Sequence, residues 1–354
     1  MNEKTALIAG VTGIVGANLS NHLIQRGWKV YGLARHPAAR GGIIPVAADL
    51  QDEEGLKKAL AEVRPSHIFI TTWLRQATEQ ENIRVNGKMV RNLLNAVAPA
   101  KSVKHVALVT GLKHYLGPFE AYGKGKLPPT PFREEQPRLD LPNFYYAQED
   151  EVLAAADREG FTWSVHRPHT IIGYAIGNAM NMGITLAAYA SLCRDSGRPF
   201  VFPGSAAQWN SLTDMTDANL LARHLEWAAL EPKAANQAFN VVNGDVFRWS
   251  WMWEQLANWF GIAAAAYPPE AMPLEKQLSD AAPAWRALAA KHGLLEGDLA
   301  RLTSAWHTDA DLGRPIEVMA DMGKSRSLGF LDYEPTRESF FALFAELRRN
   351  KVIP

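Results

Sequence analysis

The sequence predicts an α/β protein: a Rossmann-type, doubly wound parallel sheet with a smaller, mostly helical C-terminal lobe. Three observations predict it. Short apolar runs alternate with helical patterns over the first 170 residues. A glycine-rich turn, Gly10-Val-Thr-Gly13-Ile-Val-Gly16, joins the first apolar run to the first helical pattern. Beyond residue 170 the rhythm breaks into prolines, tryptophans and longer irregular pieces. Strands separated by helices imply right-handed crossovers and a parallel sheet. The expected division is residues 1–170 for the sheet domain and 171–354 for the helical lobe, with segments of the lobe returning to the sheet.

Each element follows from local pattern. Thr5–Ala9 is a short apolar strand. Ile14–Arg26 carries apolar residues at helical spacing, and Gly27 ends it. Trp28–Leu33 and Ile43–Ala47 read as the second and third strands. Asp52–Val63 is an amphipathic helix with acidic residues in its first turn, where the helix dipole favours them. Ser66–Thr71 is a strand, Glu79–Ala98 a long helix and His105–Thr110 a strand. Asn143–Glu159 is a helix and Thr162–Val165 the next strand. Phe239–Val242 is expected to return to the sheet, while Trp251–Phe260, Pro283–His292 and Ser339–Arg349 read as helices. The aromatic run Trp249, Trp251, Trp253, Trp259 and Phe260 is expected to pack between the lobes.

Composition excludes several classes of function. The 354 residues hold 37 Lys plus Arg against 37 Asp plus Glu, a net charge of zero, so a general nucleic-acid binder is not expected. With 47% hydrophobic and 21% charged residues the chain is an ordinary globular one. Cys193 is the only cysteine, which excludes an intrachain disulfide and a Cys-x-x-Cys pair. The apolar stretch from Thr5 to Ala17 is interrupted by three glycines and lacks a following A-x-A site, so it is not read as a signal peptide. Ala179–Cys193 is too short to span a bilayer and reads as a buried helix. A protein of the cytoplasm, without membrane or nucleic-acid partners, is the expectation. No metal site is expected, because the ten histidines form no HExxH or spaced carboxylate cluster. A serine nucleophile is unsupported for want of G-x-S-x-G.

The glycine turn points to a dinucleotide. Glycines permit a tight turn, close approach to a pyrophosphate and packing of helix on strand, and the helix N-terminus attracts the phosphates. Gly10, Thr12, Gly13, Ile14, Val15 and Gly16 are the candidates there. The second strand runs into Arg35-His36 instead of an acidic residue, which suits the 2′-phosphate of NADP(H). Asp49-Leu50 follows the third strand; its carboxylate suits either the adenine amino group or a helix N-cap. Thr72-Trp73 closes the fourth strand beside the expected cofactor.

One Y-x-x-x-K pattern occurs, Tyr122 to Lys126, with two internal glycines and prolines on both sides. No helix is expected there, so the one-turn spacing carries no geometric meaning. Two other segments are more informative. Thr110-Gly-Leu-Lys113-His-Tyr-Leu-Gly-Pro-Phe119 begins at the carboxyl end of a strand, where parallel sheets bind ligands. Asn143-Phe-Tyr145-Tyr146-Ala-Gln-Glu149-Asp150 opens the following helix.

These two segments, with SVHRP and FNVVNGDVFRW, resemble the motifs of the progesterone 5β-reductase and iridoid synthase family, an atypical branch of the extended short-chain dehydrogenases. The resemblance runs from GVTGIVG to the terminal KVIP. It implies a catalytic Lys113 and Tyr145, brought together from separate segments, with Tyr145 acting on a substrate carbonyl and Lys113 favouring tyrosinate character. It implies cofactor contacts at Thr12, Gly13, Ile14, Val15, Arg35, Asp49, Thr72, Trp73 and Ile171, and a homodimer. Val109 stands where the family often has Gln, and His169 where a smaller residue is common. Phe119, Tyr122, Met182 and Phe340 are candidates for an apolar substrate wall. The implied activity is NADPH-dependent 1,4-reduction of a small apolar enone. The alternatives are a carbonyl reductase, a sugar-nucleotide epimerase and a nonenzymatic NADPH sensor.

Overall fold

The computed structural model describes residues 4–39, 41–118, 121, 128–178 and 180–354. In the first half, β1 (Thr5–Ala9), α1 (Ile14–Gln25), β2 (Lys29–Ala34), β3 (Ile43–Ala47), α2 (Glu53–Leu60), β4 (His67–Ile70), α3 (Glu79–Val97), β5 (His105–Val109), α4 (Lys113–Leu116), α5 (Phe144–Glu159) and β6 (Thr162–Pro168) succeed one another. Then come β7 (Ile171–Ile172), α6 (Met182–Ser196), α7 (Ala206–Asn210), β8 (Thr216–Asp217), α8 (Ala218–Leu230) and β9 (Gln237–Val241). The remainder is helical: α9 (Trp249–Phe260), α10 (Leu274–Gln277), α11 (Ala281–His292), α12 (Leu299–Leu302), α13 (Ala305–Leu312), α14 (Gly323–Ser327) and α15 (Thr336–Arg349).

Seven parallel strands lie in the order β3-β2-β1-β4-β5-β6-β9. The order of strand addition reverses between β1 and β4, and the carboxyl ends there open a crevice of the kind that binds ligands in such sheets. Strand alternation assigns the two cores. Ala6 and Ile8 of β1 face the layer of α1 and α8, and Leu7 and Ala9 face the layer of α2, α3 and α5. β9 adds itself to the sheet edge beside β6, so the segment expected to return does so.

Local signals explain the helix starts. Asp52 caps α2 by accepting from Gly55 N, and Asn143 caps α5 by accepting from Tyr145 N. Asp49 is therefore not the helix cap; its carboxylate accepts from Gln51 N in the preceding turn. A third core belongs to the helical lobe alone. Trp249, Trp253, Trp285, Phe340 and Phe344 are buried in it, together with Met182 and Tyr189 of α6. The aromatic run thus packs within the lobe, not between lobes, and Trp251 is exposed. The expected buried helix near residue 180 starts at Met182, after the Asn181 cap. Among the described residues no helix is long and apolar enough to cross a membrane.

Candidate functional site

The glycine turn is built for close approach. Gly10 has φ +91, and a Cβ there would sit 2.7 Å from the Thr72 Cβ. A Cβ on Gly16 would fall onto the Gly10 carbonyl oxygen, so α1 packs against the turn only because that position is bare.

A cavity of about 380 Å³ opens above this turn. Gly10, Thr12, Gly13, Ile14, Val15, Thr72, Trp73 and Ile171 line it, and so do Lys113, Tyr145 and Met182. A side groove of about 140 Å³ shares Gly10, Thr12, Thr72 and Trp73 and adds Arg35, Asp49 and Leu50. The bare glycine turn shared by the two spaces and Arg35 on the side groove fit a dinucleotide. Three predicted residues lie elsewhere. Gly16 supports the turn from below, and His36 is exposed beyond the groove. Phe340 is wholly buried against Trp249 and Phe344 in the helical-lobe core, so it lines neither space. Phe119, Tyr122 and Lys126 fall outside the described residues.

Lys113 opens the short helix that follows β5, and Tyr145 lies in the first turn of α5. Specific bonds hold the two segments together. Asn143 Nδ2 donates to the Lys113 carbonyl at 2.7 Å, and the Tyr146 hydroxyl donates to the His114 carbonyl at 2.7 Å. Glu79 of α3 accepts from Phe144 N at 2.7 Å and fixes the start of α5. Behind this contact Glu149 lies buried between Arg138, at 2.9 Å, and Arg167, at 3.6 Å. The Lys113 ammonium stands 5.0 Å from the ring centroids of both Trp73 and Phe144.

The Tyr145 phenol is held protonated. Burial pushes its pKa up, and the Asp311 and Glu79 carboxylates push the same way. Burial and the two carboxylates therefore oppose tyrosinate character and favour the phenol as a hydrogen-bond donor. Gly111 leaves the hydroxyl room, since a Cβ there would lie 3.2 Å from the Tyr145 oxygen.

Of the polar groups on the opposite wall the sequence singled out His169 alone. His169 presents Nε2 to Arg314 at 2.9 Å and Nδ1 to Asp214 at 2.8 Å. Arginine only donates, so Nε2 accepts and Nδ1–H donates to Asp214. Arg314 also donates to Asp311 at 2.6 Å, and Asp311 accepts from the Thr170 hydroxyl at 2.7 Å. Burial pushes the Asp311 carboxyl up, but Arg314, His307, the Thr170 hydroxyl and His169 together outweigh it and the group falls to about 2. His307, Asn178 and Met180 complete this wall. For the others the one sequence hint was the spacing of His307 and Asp311, four apart and hence on one helix face.

Comparison with known proteins agrees in extent with this architecture. A family model described as a PRISE-like Rossmann-fold domain matches residues 45–354. The chain is 38% identical to (S)-8-oxocitronellyl enol synthase CYC2 of Camptotheca acuminata, over 99% of this chain and 94% of that one. It is 37% identical to the 3-oxo-Delta(4,5)-steroid 5-beta-reductase of Arabidopsis thaliana, over 99% and 93%. Among solved structures, the Bordetella bronchiseptica enzyme WbmG, in complex with NAD and UDP, superposes with a TM-score of 0.68 at 14% identity, covering 99% of this chain and 97% of that one. A putative epimerase from Burkholderia cenocepacia J2315 gives 0.67 at 19% identity, covering 98% of each chain. These two carry the fold alone.

Proposed function

The chain belongs to the PRISE-like Rossmann-fold family, and from that membership we propose that it is an NADPH-dependent reductase of activated C=C bonds, acting on enones by 1,4-reduction. The observation that supports this reading is that Lys113 and Tyr145, from separate segments, line one cavity with the glycine turn. The two named plant enzymes, a steroid 5-beta-reductase and an oxocitronellyl enol synthase, support the substrate class.

A nicotinamide held against the glycine turn would supply the hydride to the β-carbon, and the enolate so formed would take its proton at the α-carbon from water. Tyr145 donates a hydrogen bond to the substrate carbonyl oxygen and keeps it as negative charge builds there. A preorganised donor aimed at developing charge, in a site shielded from water, is the most effective electrostatic contribution such a protein can make. Lys113 places its ammonium behind this point, braced by Trp73 and Phe144. Trp73, Leu116 and Met182 give the substrate apolar contact. A flat NADPH absorbance trace over a broad enone panel, with cofactor binding intact, would favour a sensor. Product analysis separates 1,4- from 1,2-reduction, and saturated carbonyl products are expected. A homodimer in the cytoplasm goes with this reading, and size-exclusion chromatography with light scattering checks the dimer.

Arg35 carries the cofactor choice. Arg35 lines the side groove, and a cation there suits a 2′-phosphate. NADPH is expected to exceed NADH in kcat/KM, and Arg35→Glu to narrow or reverse the preference. One charge-assisted phosphate contact is worth roughly 1.5–3 kcal/mol, about ten- to a hundredfold. Equal kcat/KM for both cofactors in the unaltered protein would sink the assignment.

The lysines discriminate between two geometries. Lys113→Ala is expected to lose about tenfold or more in kcat, the equivalent of roughly 1.4 kcal/mol in the transition state. Lys126→Ala, in the glycine- and proline-rich segment, is expected to change kcat by no more than about twofold, a few tenths of a kcal/mol. The reverse ranking in steady-state assays would restore the one-turn Tyr122–Lys126 pair.

A further inference from the structure

We propose that Glu79 is a positioning residue: its carboxylate holds the first turn of α5, and with it Tyr145, in register with the loop after β4 that carries Trp73. That Tyr145 then acts on a carbonyl oxygen rests on the reductase reading; the placement of its segment does not.

Glu79 stands in the first turn of α3, where Thr78 caps the helix by accepting from Glu81 N at 3.2 Å. Its carboxylate oxygens serve different segments. Oε1 accepts from Phe144 N at 2.7 Å, and Oε2 accepts from Asn82 Nδ2 at 2.9 Å. The Phe144 amide is the first of α5, and such an amide has no acceptor within its own helix. Asn143 supplies the acceptor for the next amide, Tyr145 N, at 3.0 Å. The start of α5 is thus fixed by one oxygen from its own cap and one from another helix, 65 residues away in the chain. A carboxylate at this place also meets the positive end of the helix dipole.

The same face of α3 holds the loop after β4. Asn82 Oδ1 accepts from Gln76 N at 2.7 Å. Asn86 brackets Leu74, accepting from its N at 2.7 Å and donating to its carbonyl at 2.9 Å. Glu79, Asn82 and Asn86 are spaced by three and four residues, so they lie on one side of the helix. The loop so held presents the Trp73 ring, which stacks on Phe144 with centroids 5.1 Å apart and planes at 29°. Phe144 in turn meets the Tyr145 ring at 4.5 Å. Trp73 and Tyr145 line the cavity, whereas Glu79 and Phe144 are not among its lining residues. Glu79 therefore acts from outside the cavity, through the backbone that carries Tyr145. A reacting group displaced by about 1 Å can cost roughly a hundredfold in rate, so the anchor of that backbone matters to turnover.

The test combines amide exchange with turnover. Tyr145 N keeps its own acceptor, Asn143, when Glu79 is replaced, so its hydrogen exchange reports whether the turn itself has moved. In Glu79→Ala, NMR on isotope-labelled protein should show the Tyr145 amide exchanging about tenfold faster or more, the equivalent of one charge-assisted hydrogen bond. The amides of the buried Val152 and Ala155, further along α5, should stay protected. Glu79→Gln keeps an acceptor oxygen at the same reach and should retain most of the protection and most of the rate. In single-turnover NADPH oxidation with an enone, Glu79→Ala should lower the rate about ten- to a hundredfold. NADPH affinity should be nearly unchanged, because the loop keeps its bonds to Asn82 and Asn86. On the Tyr145→Phe background the same substitution should cost no more than about twofold, since a residue that acts through the hydroxyl has nothing left to position. Unchanged Tyr145 exchange in Glu79→Ala, a loss in Glu79→Gln equal to that in Glu79→Ala, or equal rate losses on the two backgrounds overturns the proposal. Should Glu79→Ala not fold, Glu79→Asp, whose carboxylate is withdrawn by one carbon, replaces it in both measurements with the same expected direction. Absent turnover of any enone by the unaltered protein rejects the reductase reading, and the exchange of the Tyr145 amide then decides the role of Glu79 by itself.

Discussion

Tyr145→Phe is expected to lower kcat on a hindered enone by about 10²- to 10³-fold, the loss seen when one donor to a developing oxyanion is removed. The ring stays, so packing against Phe144 is kept. The effect belongs in kcat, because the hydroxyl acts on the substrate oxygen, and NADPH affinity should be nearly unchanged. A strongly activated enal needs less help and should lose less. The phenol is held protonated by burial and by the Asp311 and Glu79 carboxylates, so its donation should persist through the neutral pH range. Tyr146→Phe is the comparison, and its neighbouring position differs in kind. Its hydroxyl donates to the His114 carbonyl and accepts from Leu139 N at 2.9 Å, so it fastens the Lys113 segment to α5. Its loss should appear mainly as a fall of roughly 0.5–1.5 kcal/mol in stability, with a modest fall in kcat. Single-turnover stopped-flow traces of NADPH oxidation, with melting curves for both variants, separate the two. Unaltered rates in Tyr145→Phe, or a larger defect in Tyr146→Phe, would show that the wrong hydroxyl had been chosen.

Cooperative unfolding is expected as the pH falls from about 6.5 towards 4, driven by histidines buried without charge. His105 Nε2 meets the Ser164 hydroxyl at 2.9 Å, and that hydroxyl meets His166 Nε2 at 2.8 Å. His166 Nδ1 meets His224 Nδ1 at 3.0 Å, and His224 Nε2 meets the Ser325 hydroxyl at 2.9 Å. Burial pushes His105 and His224 down to about 3, and His166 well below its ordinary value. Burial likewise takes His67 to about 4 and His114 to about 3. A group whose pKa is lowered by folding binds its proton more readily when unfolded. Its contribution is complete above the unfolded value near 6.5 and is lost as the pH falls towards the folded value. Each such histidine contributes a slope of roughly 1.4 kcal/mol per pH unit within that window. Several acting together exhaust a typical stability of about 5–15 kcal/mol within one to three pH units. Denaturant midpoints at pH 7, 6 and 5 give the number of protons taken up on unfolding. His224→Gln keeps hydrogen-bonding groups, removes one titrating site and should reduce that number by about one. Equal stability at pH 7 and pH 5 would contradict the expectation.

Periodicity made the sheet legible because burial on both faces writes continuous apolar runs such as Thr5–Ala9 and His105–Val109. Boundaries drifted where capping decides them. Asp52 and Asn143 stand outside their helices as caps, and β6 runs on to Pro168, beyond the expected Val165. On one side of the cavity, the glycine turn and Arg35 were legible from local pattern at the end of a strand, whereas Lys113 and Tyr145 were singled out by family resemblance alone; all of them line the cavity or its side groove. Of the polar groups on the other side only His169 was singled out. Phe340 was a reasonable aromatic candidate, yet α15 turns it into the lobe core against Trp249 and Phe344.

The sequence by itself determined the parallel sheet and the glycine turn after β1, and family resemblance proposed the pair Lys113 and Tyr145. The sheet and the turn are local: a strand, a turn and a helix start each carry their own pattern within a dozen residues. Only the tertiary structure decided that Asn143 and Tyr146 fasten the two segments together. Only the tertiary structure decided that His307, Asp311 and Arg314 face them across the cavity. The first contacts join residues 30 and 32 positions apart, and those of the facing wall 141 and 145, as Thr170 with Asp311 and His169 with Arg314 do. Short-range spacing carries no record of them, because the packing of whole helices against the sheet sets which side chains meet.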